Sequence, residues 1–270
     1  MKKIILLISI ILIFLISCSR KNDNSELENL KNIPEFIYQE NLSTWVFEYN
    51  VSNKINKTNG TRILPPKIGE YPDVYKYDSS NRLTKIVMSD SKDVIFDLVY
   101  DSNNRLVSYK NNAHQGYHIN RIDLSYNDNK IIQKVFTDND LNNINNFELA
   151  FEVILTFENG NIIKREVSNY SVTNYFYDNY NSPFINMEHF DVFQSFLSNS
   201  GAIIAPGIYN LKELFYGKNN LIREEFKQTG RDNTIITDYE YTYNSNQFPV
   251  RIKQSTNIGV ADGEITITYK

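Results

Sequence analysis

The chain offers three histidines, one cysteine and a scatter of carboxylates to any chemistry it performs. His114 and His118 stand four apart, the spacing that brings two imidazoles to one face of a helix. They lie in "NNAHQGYHIN", where Gly116 and the flanking asparagines read as a turn running into a strand, so the rings do not converge and no metal site is expected. Asp138, Asp140 and Asn142 alternate as the first ligands of a calcium loop would. Asn143, however, stands where that loop's sharp bend needs glycine, Leu149 stands where the bidentate Glu belongs, and Glu148 comes one place early. A solvated hairpin loop is the reading there. His189, beside Glu188, is read as a packing residue of a short helix. There is no G-x-S-x-G elbow, no H-E-x-x-H pair and no phosphate-cradling G-x-x-x-x-G-K, and no carboxylate pair is marked out as a glycosidase couple. The expectation is a protein without catalysis, cofactor or metal, with a hydrolase as the weaker alternative.

The cysteine has a different use. Met1-Lys2-Lys3 is followed by thirteen residues, Ile4 to Ile16, apolar except for Ser9. That run is too short for a membrane span, which needs about 20 apolar residues, and has the length of a secretory signal core. It ends in Leu15-Ile16-Ser17-Cys18, which resembles a bacterial lipoprotein signal: a short apolar pair, a small residue, then Cys. The resemblance implies removal of residues 1–17 and acylation of Cys18, both on sulfur and on the new amino group. Acyl chains in that number anchor a protein stably without a span. The stretch "SRKNDNSELENLKN" has no apolar period, so 18–35 is expected to be lipidated Cys and flexible tether. Ser19 after the Cys fits the outer membrane, while the face of that membrane stays open.

A net charge of −4 with no cationic cluster argues against a nucleic-acid partner. Nineteen tyrosines and sixteen phenylalanines point to β structure. They are organised by one recurring device: an alternating strand ending in Tyr or Phe, a turn of Asp, Asn, Ser or Gly, then an apolar strand start. The copies are "VYKYDSSNRLTKIV", "DLVYDSNNRLVSYK", "LSYNDNKIIQKVF", "LTFENGNIIKREV", "LFYGKNNLIREEF" and "YTYNSNQFPVRIK", with a diverged "YFYDNYNSPFINM" from Tyr175. Their anchoring aromatics are Tyr77, Tyr100, Tyr126, Phe157, Tyr177, Tyr216 and Tyr243, with Tyr269 closing the last strand. Asn53 to Pro72, which contains Pro65-Pro66, reads as a long connection. Between Pro183 and Gly201, Met187, Phe190 and Leu197 recur at helical spacing, predicting a helix over 186–199 that lies on the sheet.

The pattern of aromatic, Asx turn and "NRL" resembles YD-repeat proteins. The break at "YDNYNSPF", the helical insert and the closing "YTYNSNQFPVRI" are similar to Bacteroidetes cell-envelope lipoproteins of unknown function. The resemblance implies a fold and an address, and no activity. The expected fold is all-β over 36–270: a long, twisted and curved antiparallel meander of degenerate hairpins with one short helical insert at about 184–201. The expected role is a membrane-anchored envelope lipoprotein that binds or scaffolds, with a half-barrel lipid carrier as the alternative. Exposed, the tyrosine faces Tyr75/Tyr77 and Tyr239/Tyr241/Tyr243 would suit a glycan or protein partner. Packed at the edge of a core, cross-strand aromatic pairs account for them without a ligand, and that is the reading preferred here.

Overall fold

The computed structural model describes residues 32–39, 43–50, 52–62, 69–88, 94–111, 120–138, 147–197, 214–259 and 263–270. Cys18, the expected tether as far as residue 31, His114, His118, Asp140 and Asn142 lie outside the described residues.

Sixteen strands run in sequence order as an antiparallel meander. The first eight are β1 (Pro34–Gln39), β2 (Ser43–Tyr49), β3 (Ile55–Arg62), β4 (Gly69–Tyr77), β5 (Leu83–Met88), β6 (Val94–Tyr100), β7 (Leu106–Asn111) and β8 (Asn120–Asn127). The remainder are β9 (Lys130–Asp138), β10 (Phe147–Glu158), β11 (Asn161–Val167), β12 (Ser171–Asn181), β13 (Asn219–Gln228), β14 (Thr234–Tyr243), β15 (Pro249–Thr256) and β16 (Gly263–Tyr269). Each pairs with its sequence neighbours, and β1 also pairs with β16 through Phe36 opposite Thr268 and Ile37 opposite Ile267. The sheet is therefore a closed barrel, which corrects the expectation of an open, curved meander. Closure removes the two edges that an open sheet would expose to aggregation.

Two strands account for the difference. β1 opens with Pro34, inside the 18–35 stretch expected to be tether, and does not stand out from it. β3 (INKTNGTR) falls inside the stretch read as a connection. Its inward positions are only Ile55, Thr58 and Gly60, too polar and small to show a period of two. Gly60 lies opposite the buried Trp45. β3 forms because β2 and β4 offer it hydrogen bonds on both sides.

Alternation assigns the two faces. Inward positions such as Ile37, Trp45, Phe47, Tyr75, Ile86, Phe96, Tyr109, Ile122, Val153, Leu155, Ile252 and Ile267 are buried and form one continuous core. Outward positions carry charge in cross-strand register: Lys85 opposite Asp97, which faces Lys110 on its other side, and Asp123 opposite Lys134, which faces Glu152. A membrane-spanning barrel has the reverse polarity, apolar outside and polar inside.

The insert between β12 and β13 enters the barrel instead of lying on the sheet. Its helix, α1 (Phe190–Leu197), covers the middle of the expected 186–199 and buries Val192 and Phe193. Phe184 stacks on Phe215 at 4.2 Å and meets Phe47 edge-on at 5.4 Å, while Phe193 lies 6.0 Å from Tyr75. Gln133, fully buried on the inner wall, donates from Nε2 to the Ser195 carbonyl at 2.6 Å and so satisfies one of the carbonyls a helix end leaves open. The interior is thus packed with side chains. The half-barrel carrier, the alternative drawn from sequence, is overturned by the closed sheet. The copy at Leu214 is corrected too: Leu214, Phe215 and Tyr216 are buried plug residues, and only from Asn219 does that segment become a strand.

Candidate functional site

An even meander puts alternate connections at opposite ends. One end carries the links β2–β3, β4–β5, β6–β7, β8–β9, β10–β11 and β14–β15 together with the insert and both chain ends of the barrel; we call it the turn end. The other carries the remaining links and is the loop end.

At the turn end the repeated sequence becomes a repeated object. Asp78 Oδ1 accepts from the backbone N–H groups of Ser80 and Arg82, each at 2.9 Å, and its Oδ2 accepts from Arg82 Nε at 2.8 Å. Asn81 between them takes a left-handed conformation, φ 65°, which asparagine tolerates better than most residues. Asp101, Asn103, Asn104 (φ 61°) and Arg105 repeat the arrangement bond for bond. Asn50 and Asn244 head the same five-residue turn without the arginine. The Arg82 backbone N–H, aided by its guanidinium, holds the Asp78 carboxyl below the usual carboxylate range, and Arg105 does the same for Asp101.

The aromatic before each turn reaches back to the start of the preceding strand. Tyr77 Oη donates to the Ile55 carbonyl at 2.7 Å, Tyr100 to Leu83 at 2.7 Å and Tyr126 to Leu106 at 2.6 Å. Tyr177 donates to Ile162 at 2.6 Å, Tyr241 to Leu221 at 2.6 Å and Tyr269 to Pro249 at 2.7 Å. The rings pack against the core. Burial pushes up the phenols of Tyr77, Tyr100, Tyr177 and Tyr269, and that of Tyr126 to about 12. The tyrosines accordingly belong to the core edge, the reading preferred from sequence. Tyr243, predicted as an anchor, instead donates to the Asp178 carboxylate, and Tyr241 takes the anchoring position.

Of the sequence candidates for chemistry, His189 is described and sits at the start of α1 with φ 64°. Its Nε2 contacts the Asn81 carbonyl at 2.7 Å and its ring stacks 6.1 Å from Tyr77. Glu188 beside it pairs with the buried Lys54 at 3.4 Å. These contacts pin the insert to two turns. Asp138 is buried at the loop end of β9, and no group of three His, Cys, Asp or Glu among the described residues is placed to hold a metal.

One cleft opens at the turn end, with a volume of about 420 Å³. Leu106, Ile131, Phe157 and Val192 form its apolar part; Asn103, Arg105, Asp128, Asn129, Lys130 and Asp191 surround it. The formal charges of Arg105 and Lys130 offset those of Asp128 and Asp191. Apart from Phe157, nothing in the sequence singled these residues out, because they come from two turns, three strand ends and a helix that only the folded barrel brings together.

No protein-family model matches the chain, and no curated protein matches it in sequence. Among solved structures, the chain is similar to a porin-like protein from Bacteroides vulgatus, with 12% identity over 88% of this chain and 99% of that one and a TM-score of 0.54. A porin-like protein from Bacteroides uniformis aligns at 11% identity over 89% of this chain and 98% of that one, with a TM-score of 0.37. At such identities the likeness to the first is one of fold.

Proposed function

We propose that this chain is a non-catalytic lipoprotein of the bacterial cell envelope. Residues 1–17 are its export signal, Cys18 carries its lipid, and the barrel stands in water beside the outer membrane, holding a ligand at its turn end. The outward register of Lys85, Asp97, Lys110, Asp123, Lys134 and Glu152 carries this reading. Each such lysine on a lipid-facing wall would cost up to about 2–4 kcal/mol near the bilayer midplane, and each carboxylate somewhat less. A barrel with this wall and a packed interior is neither a span nor a pore, so its attachment falls to the lipid. The porin-like neighbours in Bacteroides supply an envelope context for the fold. The fixed roles of Asp78, Asp101, Lys54 and His189 in turn and plug structure favour binding over catalysis.

The test is fractionation of cells expressing the full chain and its Cys18→Ala variant. The parent should sediment with membranes and incorporate labelled palmitate, and the variant should appear in the soluble fraction with unchanged β-sheet circular dichroism. A variant that still needs detergent for extraction would mean that the barrel itself enters the bilayer, and the proposal would fall.

A further inference from the structure

An asparagine followed by glycine readily loses its side-chain amide. The next backbone nitrogen can close a five-membered ring on Cγ, and glycine has no side chain to obstruct the approach. The chain holds two such pairs, Asn59-Gly60 and Asn159-Gly160, and the fold treats them oppositely. Gly60 lies within β3, opposite Trp45 on β2 and Tyr71 on β4, so its N–H is committed to a ladder. Gly60 is buried, and so is the side-chain oxygen of Asn59. Asn159-Gly160 is instead the two-residue turn between β10 and β11, closed by Glu158 opposite Asn161, with φ 52° and 81°. Asn159 is exposed. Among the described residues, neither its side chain nor the Gly160 N–H makes a hydrogen bond.

We propose that Asn159 is a site of self-modification, converted by the Gly160 backbone nitrogen and water into aspartate or isoaspartate. The Gly160 nitrogen gives its proton to hydroxide and bonds to Asn159 Cγ; the Cγ–Nδ2 bond breaks and the nitrogen leaves as ammonia. Water then opens the ring. Cleavage between Cγ and the Gly160 nitrogen yields aspartate, and cleavage between the main-chain carbonyl carbon and that nitrogen yields isoaspartate. Nothing is oxidised or reduced. Aspartate adds only a charge beside Glu158. Isoaspartate adds a methylene to the backbone of a turn with room for two residues, and so draws the Gly160 carbonyl away from Gln194 Nε2 of α1, which donates to it at 3.1 Å. The modification thereby loosens the insert from the barrel wall.

The test is incubation of the full-length protein in mildly alkaline buffer, folded or unfolded in guanidinium, with peptide mapping by mass spectrometry and isoaspartyl methyltransferase labelling. In the folded protein Asn159 should convert at least tenfold faster than Asn59. In guanidinium the two rates should come within about threefold, since the ladder that shields Gly60 is gone. Asn159→Gly keeps a left-handed turn and should abolish the labelling of the folded protein. The isoaspartate fraction, separated by ion exchange, should melt below its parent. Asn159 left intact after the unfolded control has converted, or equal rates at the two sites in the folded protein, overturns the proposal. An isoaspartate fraction that melts like its parent overturns the effect on the insert.

Discussion

The Arg82 guanidinium lies 5.2 Å from the ring centroid of Tyr100, a residue of the next hairpin whose hydroxyl donates to the carbonyl of Leu83. Arg105 stands 5.1 Å over Tyr126 in the same way, and Lys54 5.5 Å over Tyr77. One turn therefore serves three purposes: it reverses the chain, places a cation over the following aromatic, and supplies the carbonyl that fixes that aromatic's hydroxyl. Successive hairpins are tied by side chains as well as by backbone ladders.

Tyr100→Phe removes the hydroxyl and keeps the ring. We expect a loss of about 1 kcal/mol, the net worth of one such hydrogen bond, read as a lower denaturation midpoint with an unchanged slope. Arg82→Ala should cost a similar amount. The double variant should be close to additive, since Tyr100→Phe keeps the ring that the guanidinium covers.

At Asn81, with φ 65°, the side chain is exposed and the backbone is the constraint. Asn81→Gly should leave stability nearly unchanged. Asn81→Ala should cost about 1 kcal/mol, the lower end of the penalty for a left-handed residue carrying Cβ. Thermal melts of the two variants decide it: equal melting temperatures would mean that the turn relaxes.

Phe193 is fully buried between Tyr75 and Phe215 inside the barrel. Phe193→Ala should cost about 3–5 kcal/mol through the cavity it leaves. If the insert were a detachable lid on an intact barrel, the loss would be far smaller.

The buried phenols set the alkaline limit. A tyrosine whose folded value is raised above 10 contributes stability that is complete below pH 10 and is lost as pH climbs past it, because only the unfolded state then gives up the proton. With Tyr126 at about 12 and Tyr77 and Tyr100 higher, the melting temperature should hold to pH 10 and fall steeply from pH 10 to 12. Phenolate absorbance should rise together with unfolding. Gradual titration of all tyrosines without loss of structure would contradict the burial described.

The sequence carried the hairpins and their turns because those are local: "YDSSNRL" and "YDSNNRL" contain every atom their turns need. It carried the insert because helical spacing interrupts the alternation. It did not carry closure, which depends on Phe36 and Ile37 meeting Thr268 and Ile267 across almost the whole chain. Nor did it carry β3, whose Asn, Lys, Thr and Gly become a strand only through their neighbours. Phe157 looked like one more anchoring aromatic, but there the backbone ladder runs on to Lys130 opposite Thr156 and takes over the part that a phenol plays elsewhere.

Joining β1 to β16 also sets a timetable. Tyr269 is paired with Pro34, so the barrel cannot shut until the last of its strands has arrived beside the first. Until then β1 and the newest strand both present open ladders, and the two seams are completed in a single late event. A chain shortened by β16 would lose one strand in sixteen and, with it, every benefit of having no edge. We expect its fate to be clumping or proteolysis, not a slightly weaker barrel.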